Sequence, residues 1–318
     1  MFAQKFTSSF SHASKSKLIM SALAQIRIPY VDPKEEAIAI TNISRKIDMS
    51  FCDRSPVQFV LPAFPFKSKN QRTKVIGSLA DKGEELALKS LYDFGVKIKD
   101  ATDGDAELIV ALDGFTYADI VGIDNSAVFT YMQNIINLYL NLYNRLSDRQ
   151  IIKWFDNLNS LSDLEHYSIW RILDANYSQS IESIRHEIET IKEVRDGYVG
   201  LARFWAQDSD DGLTGCEELK RIGKKIAIQM MRRNRAYSDY LKAQFPNAIR
   251  LSVHRAAVIN DRVPINIIPE NTNYGTPWHT VAVKTKSGVW QLMKRVDAES
   301  KGCTLLYEND VPSYFMEN

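Results

Sequence analysis

Cysteine is scarce in this chain. Cys52, Cys216 and Cys303 are spread over 318 residues with no C-x-x-C between them, which excludes a zinc ribbon or a thioredoxin-like redox motif and points to reduced thiols. No run of 18 apolar residues occurs, so no segment reads as a membrane span. Neither sign of charge is in surplus: 40 Lys and Arg face 39 Asp and Glu, for a net charge of +1. A nucleic-acid partner, which a basic excess or stripe usually announces, is not expected. The common cofactor and hydrolase signatures are missing too. There is no G-x-x-x-x-G-K-[ST] loop, no G-x-G-x-x-G after a strand, no G-x-S-x-G elbow and no H-E-x-x-H. The acidic run Gln207 to Gly212 has Leu219 where a calcium-binding hand needs its glutamate, and it reads as a solvated turn. His12, His166 and His186 have no partner at ligand spacing. Acids are absent from the first 31 residues, where Lys5, Lys15, Lys17 and Arg27 alternate with serines as in an organelle presequence. The same stretch, from Ser11 to Arg27, reads equally as a short helix directing Leu18, Ile19, Leu23 and Ile26 to a core, and a cytoplasmic location is expected.

What the chain does contain is an alternation of strands and helices. A helix is expected from Pro33 to Asp48, followed by the apolar strand V-Q-F-V-L that meets Pro62 and Pro65 and delivers Lys67, Ser68, Lys69 and Asn70. Asp81 and Glu84 have the spacing of a capping box and start a helix through Leu86, Leu88, Leu91 and Phe94. A second core strand covers Ala106 to Leu112, and a helical stripe runs from Asn125 to Arg145. Ile151 to Phe155 is a further short strand candidate. This order predicts a parallel sheet with right-handed crossovers. Residues of about 160–245 read as a helical insertion. Ala248 to Val253 opens a β-rich tail of about 246–310, with a hairpin turn at Lys286 to Gly288. The expected architecture is α/β: a Rossmann-like, mostly parallel sheet flanked by helices, with a helical insertion and a small β-rich C-terminal part. An N-terminal helical segment (1–55) precedes one catalytic unit (56–318).

Polar residues just beyond core strands are where α/β enzymes gather their chemistry. Lys67, Ser68 and Asn70, with Lys74 beyond, suit a phosphate or carboxylate, or are a soluble loop. Asp113, directly after the second strand, can accept a proton or hold an amine, or it is half of an Asp-Gly turn. Alternation puts Arg250, Ser252 and His254 on one face, costly unless paired or lining a cavity. In T-P-W-H, Trp278 can wall a pocket and His279 can exchange protons. Arg232 or Arg233, on the basic stripe of a helix over Glu217 to Leu241, can reach a phosphate, although such a stripe is usually a wet face.

Five stretches in order, L-P-A-F-P-F-K-S-K-N, G-S-L-A-D-K-G-E-E-L-A-L, L-D-G-F-T-Y-A-D-I-V-G, I-R-L-S-V-H and T-P-W-H, closely resemble the pyoverdine/dityrosine biosynthesis family, whose bacterial members include isocyanide (isonitrile) synthases. The resemblance runs from about Pro56 to Val283. It implies condensation of the α-amine of tyrosine or tryptophan, tyrosine favoured, with ribulose 5-phosphate, whose carbonyl carbon becomes the isocyanide carbon. It also implies no metal or redox cofactor, and an iron/2-oxoglutarate oxygenase as pathway partner. Under that chemistry His254, His279 and Asp113 are acid–base candidates. Lys67, Lys74 and Arg250 or Arg232 are phosphate cations; Ser68, Asn70 and Ser252 hold sugar hydroxyls; Trp278 and Phe115 border the aromatic ring. Two departures stand out. Ala80 occupies a position where the family leads one to expect proline, and Arg255 follows His254 where proline is common, adding a cation beside that histidine. An N-formyl-tyrosine-forming enzyme and a non-catalytic small-molecule binder remain alternatives.

Overall fold

The computed structural model describes residues 11–143, 150–155, 169–254, 261–268 and 275–318. The first two helices are α1 (His12–Ala24), N-capped by Ser11, and α2 (Pro33–Cys52), N-capped by Asp32 with proline in its first turn and Glu35 and Glu36 against the positive helix end. Their buried residues Ile19, Leu23, Ile43 and Ile47 join the same core as the sheet. Each such side chain removed from water contributes about 1.5–3 kcal/mol before entropy is counted.

The main sheet contains β1 (Val57–Ala63), β2 (Ala106–Leu112), β3 (Ile152–Phe155), β4 (Ile249–Ser252) and β5 (Val263–Pro264), in the order β3-β2-β1-β4-β5 with every pair parallel. β1 and β2 are apolar almost throughout because helices cover both faces of a parallel sheet. Between them lies α3 (Lys82–Ala101), whose start is the expected capping box of Asp81 and Glu84. Beyond β2 come α4 (Gly114–Val121) and α5 (Asn125–Tyr143). The helical insertion consists of α6 (Ile169–Asn176), α7 (Ile181–Thr190), α8 (Lys192–Asp208) and α9 (Cys216–Gln244), and α9 packs chiefly on α8. Among the described residues no helix is long and apolar enough to cross a membrane.

Two expectations need adjusting. The segment assigned to the start of a β-rich tail instead supplies β4 to the main sheet, because its four residues are all buried beside β1. Only later residues build the second sheet: β6 (Val281–Lys284), β7 (Trp290–Met293), β8 (Thr304–Glu308) and β9 (Val311–Met316), in the order β7-β6-β9-β8 around Val281, Val283, Ala298, Cys303 and Phe315. Pro62, expected to end β1, lies within it. The ladder toward β4 spans only Phe59 and Val60, so Pro62 has no partner to satisfy on that side.

Because strand order runs outward from β1 in both directions, the carboxyl ends of β1 and β4 flank a topological switch point, where open α/β sheets bind ligands. The exits of β1, β2 and β4 therefore define the region of interest.

Candidate active site

The chain leaves β1 at Phe64, whose φ of 57° is unusual for a bulky residue. Such a conformation costs about 1–3 kcal/mol and persists where packing over-determines it. Here the ring is fully buried with its centroid 5.4 Å from that of Trp278. The start of α4 presses on the same loop. A Cβ at Gly114 would stand 2.2 Å from the carbonyl oxygen of Pro65, so glycine is what permits the approach.

Lys67 is buried, and its ammonium donates to Asp81 (2.8 Å), Glu84 (2.8 Å) and the carbonyl of Pro277 (2.9 Å). An ammonium has three protons, and all are used. Burial alone would lower its pKa, but the two carboxylates outweigh it and raise it. Burial pushes Asp81 up to about 7 against the pull of Lys67, and Glu84 adds to the rise. Glu84 also accepts from the Tyr131 hydroxyl at 2.9 Å. Lys67 thus clamps the β1 exit to the first turn of α3 and to the Pro277 segment, and offers no proton to a phosphate.

The following residues fasten the loop to the end of α8. The Ser68 hydroxyl donates to Asp208 Oδ1 (2.6 Å), and Lys74 donates to the same oxygen (2.8 Å) while lying 3.8 Å from the centre of the Phe204 ring. The Asn70 amide donates to the carbonyl of Gln207 (2.7 Å) and accepts from the Thr73 N–H (2.9 Å). Ser68, Asn70 and Lys74, expected to touch sugar and phosphate, are positioning residues in this geometry, since their polar atoms are already engaged. Lys69 caps the carboxyl end of α4 through the carbonyls of Val121 and Gly122.

Asp208 is the residue that the sequence reading missed in what it took for a solvated turn. It is buried. Burial would raise its pKa, but His279 and Lys74 hold it well below the usual carboxylate range. Its Oδ1 lies 3.5 Å from His279 Nδ1, beyond a normal hydrogen bond yet close enough for attraction. His279 ends a short 3₁₀ turn (Pro277–His279), with its ring edge-on to Phe204 at 4.8 Å. Burial lowers its pKa, and Asp208 opposes that fall.

His254 lies just past the end of β4, where its surface is open to solvent while protein atoms crowd around it. Desolvation first, then His279 and Arg262, hold it below the ordinary imidazole value. Ser252 makes the turn that places it: its hydroxyl donates to the His254 carbonyl (3.0 Å) and accepts from the His254 N–H (3.2 Å). Ser252 is therefore committed to the backbone. Arg250 directs Nη1 to the carbonyl of Ser238 in α9 (3.2 Å).

Asp113 sits at the end of β2 in the N-cap position of α4, but its side chain makes no cap bond and its Oδ1 has no hydrogen-bond partner among the described residues. Burial pushes its pKa up to about 7. A buried carboxyl poised near neutrality is a feature of general acid–base sites. One helical turn on, Tyr117 lies within electrostatic reach of both Asp113 and Arg262. Through Tyr117, Arg262 and His254, the Asp113 end of the site connects with His279.

Other candidates lie elsewhere. Arg232 binds Asp174 (3.0 Å) and the Gln179 carbonyl (2.8 Å) on the insertion, and Arg233 ties α9 to α4 through Thr116 and Asp119. Both guanidiniums are already paired with a carboxylate. Trp278 is packed in the core and presents no open face, and Phe115 is likewise buried. Arg255 falls outside the described residues. A groove of about 770 Å³ between α4, α8 and α9 is lined by Asp119, Asp208, Lys225, Gln229 and Arg233 among others. It backs onto Asp208 but reaches neither histidine.

Residues 47–306 match the sequence model of the pyoverdine/dityrosine biosynthesis protein family. The chain is 30% identical over 262 residues to an L-tryptophan isonitrile synthase of Fischerella ambigua, covering 82% of this chain and 77% of that protein. It is 28% identical over 301 residues to an L-tyrosine isonitrile synthase of Xenorhabdus nematophila, covering 91% and 85%. The crystal structure of the PvcA protein from Pseudomonas aeruginosa superposes with a TM-score of 0.85 at 28% identity, over 96% of this chain and all of that one. With the α/β architecture and five ordered motifs already in place, these likenesses establish that the chain belongs to the pyoverdine/dityrosine biosynthesis family.

Proposed function

We propose that this protein is an isonitrile synthase that converts the α-amine of an aromatic L-amino acid, tyrosine before tryptophan, with ribulose 5-phosphate as carbon donor and co-substrate. The observation that supports it best is that His254 and His279 lie within electrostatic reach of each other, and that Asp113 at the β2 exit is linked to His254 through Tyr117 and Arg262, all three groups held away from their ordinary pKa values in a fold shared with isonitrile synthases.

The first step is attack of a neutral amine on the sugar ketone, with loss of water to give an imine. A histidine held below its ordinary pKa is neutral at physiological pH, so it adds no positive charge beside the amine and can accept a hydrogen bond from it. Fragmentation then needs protons moved at the carbons flanking the imine carbon, a task for groups with pKa near the working pH. Asp113, at about 7, meets that condition. His279, with Asp208 at 3.5 Å, is the second group, because the carboxylate stabilises an imidazolium as it forms. In this reading the reaction needs no metal or redox cofactor, takes place in the cytoplasm, and hands its product to an iron/2-oxoglutarate oxygenase.

The direct test is incubation of purified protein with tyrosine or tryptophan and ribulose 5-phosphate, read by the isonitrile infrared stretch and product mass. Appearance of both supports the proposal. A formamide product would place the protein in the formyl-tyrosine branch, and ligand-induced thermal stabilisation without turnover would make it a binder.

A further inference from the structure

Cations at and near the candidate site are mostly neutralised by carboxylates. Lys67 faces Asp81 and Glu84, Lys74 faces Asp208, and Arg233 faces Asp119. Arg262 differs. It is half-buried, makes no ion pair among the described residues, and its Nε is shielded from solvent with no hydrogen-bond partner. A guanidinium in that position is unfavourable unless something else supplies the counter-charge.

Its place in the fold is fixed by the backbone. Arg262 immediately precedes β5, whose register (Leu251 beside Val263) sets it alongside Arg250 on the neighbouring strand. The Tyr30 hydroxyl donates to its carbonyl at 2.9 Å and pins the main chain. The side chain lies within electrostatic reach of His254, Arg250 and Tyr117. Tyr117 makes no side-chain hydrogen bond among the described residues, although its neighbours are polar. The molecule thus keeps a fork-shaped cation, a second arginine in register beside it and an unbonded phenol next to the acid–base groups. That set suits a doubly charged, many-oxygen ligand group better than a single carboxylate.

We propose that Arg262, with the Tyr117 hydroxyl, anchors the phosphate group of the sugar-phosphate co-substrate, an assignment that rests on the isonitrile-forming reading above. It replaces Lys67, whose three donors are spent on the protein itself, and Lys74 and Arg232, each of which already has a carboxylate partner.

The experiment is calorimetric titration of ribulose 5-phosphate, D-ribulose and tyrosine into the wild-type protein and into Arg262→Met, Arg262→Lys and Tyr117→Phe. Arg262→Met is expected to weaken ribulose 5-phosphate binding about 10- to 100-fold, the range for a charged hydrogen bond. D-ribulose and tyrosine affinities should stay unchanged, Arg262→Lys should recover part of the loss, and Tyr117→Phe should lose a few-fold. Inorganic phosphate should compete with ribulose 5-phosphate on the wild type and not on Arg262→Met. Because no protein partner is removed, the melting temperature of Arg262→Met should hold or rise. An equal loss of tyrosine affinity, or unchanged ribulose 5-phosphate affinity, would overturn the assignment. If wild type forms no isonitrile while Arg262→Met still loses phosphate-dependent binding, the reaction reading fails and the anchor stands. If isonitrile forms in Arg262→Met with an unaltered KM for ribulose 5-phosphate, the reverse holds.

Discussion

One carboxylate oxygen of Asp208 accepts from both Ser68 and Lys74 and lies 3.5 Å from Nδ1 of His279. A single atom therefore fixes the loop after β1, balances a buried ammonium and faces a titrating imidazole. Asp208→Asn keeps the shape and removes the charge. We expect turnover to fall by about 10²–10⁴, the span of general acid–base effects, and the stability to fall by roughly 3–5 kcal/mol because Lys74 is left uncompensated. Without the carboxylate, which raises the His279 pKa, the acid limb of the pH–rate profile should move to lower pH. An unmoved limb would separate His279 from the chemistry.

Lys67 makes a contrasting case. Its removal should act on the fold first, since Asp81 and Glu84 would stay buried without their cation. Lys67→Met is expected to cost roughly 3–5 kcal/mol and to weaken amino-acid and sugar-phosphate binding together. A selective loss of sugar-phosphate affinity in a stable variant would restore it as a phosphate ligand.

Asp113 carries a pH signature in stability as well as in rate. Its folded pKa, about 7, lies above the ordinary 3.8, so between those values the folded state binds more protons than the unfolded one. Stability from this group is therefore greatest at low pH and is lost as pH rises toward 7. Asp113→Asn should raise the melting temperature at pH 8, with the gain shrinking toward pH 4, while abolishing most turnover. Equal melting shifts at both pH values would contradict the buried-carboxyl reading.

Gly114→Ala tests the approach of α4 to the β1 exit. With a Cβ 2.2 Å from the Pro65 carbonyl oxygen, the helix start must retreat. A loss of about 1–3 kcal/mol or more is expected, and activity at temperatures where the variant is folded should also fall, because Asp113 is the preceding residue. Near-wild-type melting and turnover would show the contact to be soft.

Much of this was legible because local rules and burial agreed. The capping box at Asp81 and Glu84, the two long core strands, and the strand-exit placement of Lys67, Asp113 and His254 all follow from spacing alone. Tertiary pairing decided the rest. Nothing local says that Lys67 will meet two carboxylates, or that Asp208, in a stretch rich in acids, is the buried one. Tyr117 was hidden because Asp113-Gly114 was read as a turn and not as the start of a helix that puts residue 117 one turn above 113. Arg262 announces itself only by what it lacks. Ala80 shows the opposite case. Where proline is expected, its N–H donates to Asn134 at 2.8 Å, a bond that proline cannot make.

The ties at the β1 exit join residues far apart in sequence: Ser68 to Asp208 across 140 positions and Lys67 to Pro277 across 210. Contacts of that span carry the closure entropy of the intervening chain, so we expect them to form late in folding. The candidate site should thus report completed folding. A chain with its sheet in place and its insertion undocked would show native-like helix content and no activity. In refolding, return of turnover should lag behind return of the far-ultraviolet dichroism signal, and the lag measures how slowly the insertion seats Asp208.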